Sequence, residues 1–195
     1  MKKIVNYALI AAAVMVIWAV PAFSQTPAKL EAVRGLDLNK YLGKWYEIAK
    51  YPNKFQKQCA GNTTATYSLK PNGRIEVLNE CTKRDGTRDS AKGEAKIPDK
   101  ANNAKLKVRF APSALSFLPF VWANYWVVAL GPNYEYALIG EPDRKYFWIL
   151  SRKPEMSDAE YQNLLRRAEG LGFVPSKVEK TPQNLEVIPG GVVEK

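Results

Sequence analysis

From Gly43 to Ser151 the sequence is a train of short apolar or alternating runs, each cut off by turn residues. Eight runs span residues 44–51, 62–70, 74–82, 90–97, 105–110, 124–131, 136–140 and 145–151. Between them stand Pro71-Asn72-Gly73, Asp85-Gly86, Pro98-Asp99, Gly131-Pro132-Asn133 and Glu141-Pro142-Asp143, residues that bend the backbone rather than extend it. Strands repeated at this spacing fold as an antiparallel barrel or sandwich. One hairpin fixes its own register. Pairing Lys70 with Arg74 sets Leu69 opposite Ile75 and Tyr67 opposite Val77, so the apolar faces coincide, and Gly73 supplies the left-handed residue that the loop requires.

A single helix follows the strands. Ser157-Asp158-Ala159-Glu160 forms a capping box, and Tyr161, Leu164, Leu165 and Ala168 make one apolar stripe. Asp158 and Glu160 suit the positive end of the helix dipole, Arg166 and Arg167 the negative end, and Gly170 and Gly172 provide the stop. Residues 181–195 carry Pro, Gly and charge without a period and are expected to form a flexible tail.

The amino terminus reads as a secretory leader. Lys2 and Lys3 precede the apolar run 8–20, and Ala22 and Ser24 stand where a signal peptidase reads small residues, so cleavage is expected after Ser24. The apolar run is short for a membrane span. No cysteine follows it, so a lipid-modified amino terminus is not expected. The domain plan is therefore a leader over 1–24, a folded domain over 25–180 and the tail. In an oxidising compartment Cys59 and Cys81 suggest one structural disulfide, with two separate buried thiols as the alternative.

Composition removes whole classes of chemistry. The chain has no histidine, which excludes His-ligated zinc, Ser-His-Asp and Cys-His catalysis; two cysteines are too few for thiolate zinc or iron–sulfur sites. No metal and no cofactor is expected. Lys plus Arg is 29 against 19 for Asp plus Glu, a formal +10. A basic surface suits an anionic headgroup or membrane. No stacking motif of a nucleic-acid-binding module accompanies that charge, so nucleic acid is not an expected partner.

Gly43-Lys44-Trp45-Tyr46-Glu47, then Asn133-Tyr134-Glu135-Tyr136-Ala137-Leu138, then Trp148-Ile149-Leu150-Ser151-Arg152 stand in this order ahead of the single capped helix. From about Val33 to Val178 the chain resembles a lipocalin, specifically the bacterial lipocalin and apolipoprotein D branch. Pro132-Asn133-Tyr134 replaces the family's usual Thr-Asp-Tyr, and the lipid-anchoring cysteine of many bacterial members is absent. The resemblance implies an all-β fold, an eight-stranded antiparallel up-and-down barrel with one C-terminal α-helix packed outside. Gly43, Trp45 and Arg152 then become structural residues of the closed end, the guanidinium stacked on the indole. Strand parity offers Ala49, Tyr51, Tyr67, Val77, Asn79, Gly93, Leu106, Val108, Phe110, Tyr136 and Trp148 as lining of the ligand cavity, with Ala91 and Ala95 leaving space. Glu47 shares the parity of Trp45 and is either a satisfied structural carboxylate or a ligand contact.

The implied function is non-enzymatic: binding and carriage or storage of a small lipophilic ligand, a long-chain fatty acid or lysophospholipid. The implied location is the bacterial periplasm, in association with the outer membrane. A long acyl chain is favoured because each buried methylene contributes about 0.8 kcal/mol against a fixed cost of association. The rival is an enzyme on the same fold, a lipid isomerase or pigment-modifying enzyme, which needs a nucleophilic thiol in the cavity. The loop 114–122 is strongly apolar. Leu115, Phe117, Phe120 and Trp122 suit a lid over the cavity, a peripheral membrane contact or a homodimer contact.

Overall fold

The alternating runs become strands because each can bury one face against the others. The computed structural model describes residues 28–188 and 190–194, so the expected leader lies outside the described residues. The strands are β1 (Gly43–Lys50), β2 (Cys59–Leu69), β3 (Ile75–Lys83), β4 (Arg88–Lys96), β5 (Lys105–Arg109), β6 (Ala123–Leu130), β7 (Tyr136–Gly140) and β8 (Phe147–Ser151). Each pairs antiparallel with its neighbour in sequence, and β1 pairs with both β2 and β8, closing an up-and-down barrel with no free edge. The expected register of the second hairpin is observed: Leu69 faces Ile75, Tyr67 faces Val77, and Gly73 has φ 76°. A Cys59–Cys81 disulfide ties the mouth ends of β2 and β3.

The helices follow their capping signals. Asp37 caps α1 (Leu38–Tyr41) by accepting from the Asn39 and Lys40 amides. Ser157 caps α2 (Asp158–Gly170) by accepting from the Glu160 amide, and Tyr161, Leu164 and Ala168 are buried against the outside of the barrel.

Two β-bulges divide the strand residues into an inner and an outer core. In β1 the pairing with β8 slips between Glu47 and Ala49, and in β6 the pairing with β7 slips between Val127 and Ala129. One extra residue reverses every side chain beyond it. Trp45 therefore packs inside with Tyr67, Val77 and Leu106, whereas Ile48, Ala49 and Tyr51 pack outside with Phe147, Leu164 and Phe173 beneath α2. This corrects the expected placement of Ala49 and Tyr51 inside the barrel. Tyr136 is corrected as well: its neighbours Ala137 and Ile139 take the interior, while Tyr136 packs in the outer core and its hydroxyl accepts from Arg167 at 2.9 Å.

The segment after α2, where a flexible tail was expected over 181–195, carries strands among its described residues. β9 (Glu179–Lys180) adds to the edge of β1 where β2 has diverged, and β10 (Leu185–Ile188) and β11 (Gly191–Glu194) form a hairpin. The Gln183 side-chain amide donates to the carbonyls of Glu47 at 2.7 Å and Thr63 at 2.8 Å, bridging β1 and β2 where they do not pair directly. Side-chain and main-chain hydrogen bonds, not apolar periodicity, hold this segment.

The closed end is built around one cation. The Arg152 guanidinium lies 3.7 Å above the centre of the Trp45 ring, and it donates to the carbonyls of Lys40, Tyr41, Leu42 and Lys44. The Trp45 indole N–H donates to the Tyr41 carbonyl at 2.8 Å. Arg152 thus caps the carboxyl end of α1, where partial negative charge collects, and covers the floor of the barrel. Arg152→Ala should cost about 3 kcal/mol, from charged hydrogen bonds and stacking lost together, and lower the melting temperature. Arg152→Lys should recover only a small part, because one ammonium cannot serve a face and four carbonyls. Thermal denaturation checks both; equal melting temperatures for all three proteins would contradict the role of the floor.

Candidate functional site

With the floor sealed, the interior opens at the other end, between the loops 51–58, 84–87, 110–122 and 141–146. Apolar walls come from Tyr67, Ile75, Val77, Leu106, Val127, Ile139 and Leu150, all buried. Higher on the same inward face, Ala65, Asn79, Gly93, Val108 and Trp148 are only partly buried and Ala91 is exposed. Inward positions that water can reach mark the open mouth above those walls. Two shallow surface grooves, one beside Tyr51 and Ser176 and one beside Tyr161 and Pro182, lie outside it.

Of the expected lining, the structure brings together Tyr67, Val77, Asn79, Gly93, Leu106, Val108, Phe110 and Trp148, and leaves out Ala49, Tyr51 and Tyr136. Gly93 is constrained by backbone as well as by space. A Cβ there would come within 2.6 Å of the Arg109 carbonyl and 2.7 Å of the Phe110 ring, which covers the glycine at the mouth.

Besides Asn79, the interior has two polar clusters. Three phenols meet near the floor: Tyr125 Oη lies 2.7 Å from Tyr41 Oη and 2.8 Å from Tyr67 Oη. Burial pushes all three pKa values up, Tyr67 to about 12, so the hydroxyls stay protonated. Tyr41 and Tyr125 had no distinguishing signal in the sequence, since Tyr41 precedes the first strand and the run 124–131 is apolar on both faces. The second feature is Glu47, whose carboxylate accepts from Gln56 at 2.6 Å and Thr181 at 2.7 Å. Gln56 in turn accepts from the Trp148 indole at 3.1 Å. Glu47 is therefore a satisfied structural carboxylate, and burial raises its pKa against the pull of those two hydrogen bonds.

The long apolar loop is pinned to the outer wall rather than folded over the mouth. Trp122 is 7% exposed, its indole N–H donates to the Ser116 carbonyl, and its ring carries Lys96 at 4.2 Å, Arg109 at 5.2 Å and Arg74 at 5.8 Å. Glu94 neutralises part of this charge, accepting from Lys70, Arg74 and Arg109 at 2.7–2.9 Å. Trp122 is thus an anchor and not a contact surface, which corrects its expected role, and the lid reading does not fit. Phe117 and Phe120 remain 78% and 80% exposed.

Residues 36–183 match the family model of the lipocalin-like domain. The chain is a lipocalin. It is 45% identical over 158 residues to temperature-induced lipocalin-1 of Arabidopsis thaliana, covering 80% of this chain and 84% of that one. It is 39% identical over 171 residues to the outer membrane lipoprotein Blc of Escherichia coli K12, covering 87% and 92%. Apolipoprotein D of Mus musculus is 43% identical over 127 residues, covering 60% of this lipocalin and 61% of that chain. Insecticyanin from the tobacco hornworm shares the fold, with a TM-score of 0.59, 24% identity and coverage of 78% and 83%. Both cysteines of this lipocalin are in the disulfide, so the described residues hold no free thiol of the kind the enzymatic alternative requires.

The two carboxylates give opposite pH responses. Burial opposes ionisation of Glu94, but the hydrogen bonds from Lys70, Arg74 and Arg109 outweigh it and bring its pKa from 4.5 down to about 2. Its stabilising contribution is full above pH 4.5 and disappears as the pH falls through about 2. Glu47, raised above 4.5, favours the fold when protonated, and that contribution is lost as the pH rises from 4.5 through its raised value. Chemical denaturation against pH should show Glu94→Gln losing the acid dependence and Glu47→Gln losing the fall on the other side. A Glu94→Gln profile parallel to the parent's below pH 4.5 would contradict the ion cluster.

Proposed function

We propose that this lipocalin binds and carries or stores a small lipophilic ligand inside the barrel, a long-chain fatty acid or lysophospholipid with its headgroup at the mouth. The supporting observation is the inward face, apolar to the floor and still reachable by water in its upper half. An acyl chain there replaces water against Val77, Leu106, Val108 and Trp148, and each methylene contributes about 0.8 kcal/mol. Lys50, paired with the inward Trp148 beyond the β1 bulge, and Lys54 and Lys57 on the loop after β1 favour the charged group at the mouth. No reaction is assigned to the barrel.

Export is supported by the leader pattern in residues 1–24. A place in the bacterial periplasm, in association with the outer membrane, is supported by the similarity to an outer membrane lipoprotein. Phe117 and Phe120, exposed on the loop whose Trp122 ring meets Arg74 and Lys96, favour a peripheral contact with an anionic membrane over a homodimer contact. Burial of two phenylalanines contributes several kcal/mol, at roughly 1.5–3 each.

Two experiments test these readings. Ala91→Trp places an indole in the upper cavity without meeting the backbone that constrains position 93, and should weaken palmitic acid binding by about tenfold or more while the fold persists. Parent-like affinity in calorimetry would place the ligand elsewhere. Phe117→Ser/Phe120→Ser, with the Trp122 anchor kept, should abolish co-sedimentation with phosphatidylglycerol vesicles at low salt. Parent protein that stays in the supernatant would remove the membrane reading, and a parent dimer made monomeric by the double change would replace it with the homodimer.

A further inference from the structure

The three phenols near the floor contain a donor with nowhere to go. A linear chain of three hydroxyls has three protons and two internal hydrogen bonds, Tyr41–Tyr125 and Tyr125–Tyr67. Whichever way the bonds run, one proton is left over. No other acceptor for any of the three is present among the described residues, although Tyr41 is 1% and Tyr67 4% exposed. A buried hydroxyl without an acceptor is costly.

The position of this donor selects what can satisfy it. Tyr41 packs 5.1 Å from Trp45 and 5.6 Å from Tyr67, ring centre to ring centre, so the hydroxyls stand just above the sealed floor. Tyr125, in the centre of the chain, is the most accessible of the three and is opposite Leu106 on the cavity wall. Lys50, which shares the inward face of Trp148, stands at the mouth end of β1, and Arg152 is committed to Trp45 and four carbonyls beneath the floor. An anion at this depth would be stripped of water with no opposite charge beside it. An uncharged oxygen needs only the hydrogen bond.

We propose that the Tyr41–Tyr125–Tyr67 hydroxyl chain is a deep subsite for an uncharged hydrogen-bond acceptor, a ketone, ester or hydroxyl oxygen on the apolar part of the ligand. The inference rests on the barrel being the ligand site and deepens that reading. It makes this lipocalin selective for oxygenated lipids over plain acyl chains of the same length: the polar group at one end stays at the mouth while a second oxygen meets the phenols.

Palmitic acid and a series of keto-palmitic acids, with the ketone moved along the chain, test this in calorimetric titrations. One position in the series should bind a few-fold to about tenfold tighter than palmitic acid, the range of a single net hydrogen bond. Tyr41→Phe/Tyr67→Phe/Tyr125→Phe keeps the shape of the walls and removes all three hydroxyls. Within this variant the ketone should bind no tighter than palmitic acid, so the preference, read as the ratio of the two affinities, is lost. In the parent complex the infrared stretch of the preferred ketone should lie below its frequency in hexane, a readout that does not depend on the variant folding. A series with no member better than palmitic acid, a preference that survives the triple change, or a ketone stretch at its hexane value would overturn the subsite alone. Failure of the parent to bind palmitic acid or any keto derivative would overturn the barrel as ligand site and the subsite with it.

Discussion

Arg152 holds the two ends of the barrel sequence together. It follows the last strand, and its partners, Lys40 to Leu42 and Lys44 with Trp45, belong to α1 and the first strand. A guanidinium is suited to this position because its planar fork serves several carbonyls while its face stacks on the indole. The floor it completes turns an open tube into a vessel. A closed base excludes water from one end and leaves a single route in, so ligand selectivity must come from the depth of the cavity and from its mouth.

The second constraint is a matter of parity. A closed eight-stranded barrel has an inside and an outside, and here the outside must also receive α2. The bulges in β1 and β6 let single strands contribute to both cores: Trp45 and Val127 point in, Ala49 and Ala129 point out. The periodic pattern of the sequence made the strands, the hairpin register at Tyr67 and Val77, the helix stripe and the closed barrel legible. It could not show a bulge in runs such as 124–131, where both faces are apolar. Ala49 and Tyr51 were assigned to the cavity by unbroken alternation, and one extra residue sends them beneath the helix. For Tyr136 the alternation runs the other way, from Ala137 and Ile139 inside.

Two features were illegible for a different reason: polar side chains hold them. Thr181 and Gln183 secure the segment after α2 to Glu47 and Thr63 through hydrogen bonds spanning more than a hundred residues, which no local pattern announces. Trp122 looked like exposed apolar surface because its partners, Arg74, Lys96 and Arg109, come from distant strands. The hydroxyls of Tyr41, Tyr67 and Tyr125 likewise converge only after closure of the barrel. Alternation thus made Tyr67, Val77 and Leu106 legible as inward residues, whereas Ile75, Val127, Ile139 and Leu150 on the same walls and the polar depth required the fold.

A sealed floor, apolar walls and an inward face open to water at the mouth support the proposed burial of a small lipophilic molecule. Native mass spectrometry of the protein purified from its own host tests this most directly. The folded protein should carry one small mass, released on denaturation and recovered in organic solvent. A bare polypeptide, unchanged in mass after incubation with the host's total lipid extract, would contradict it.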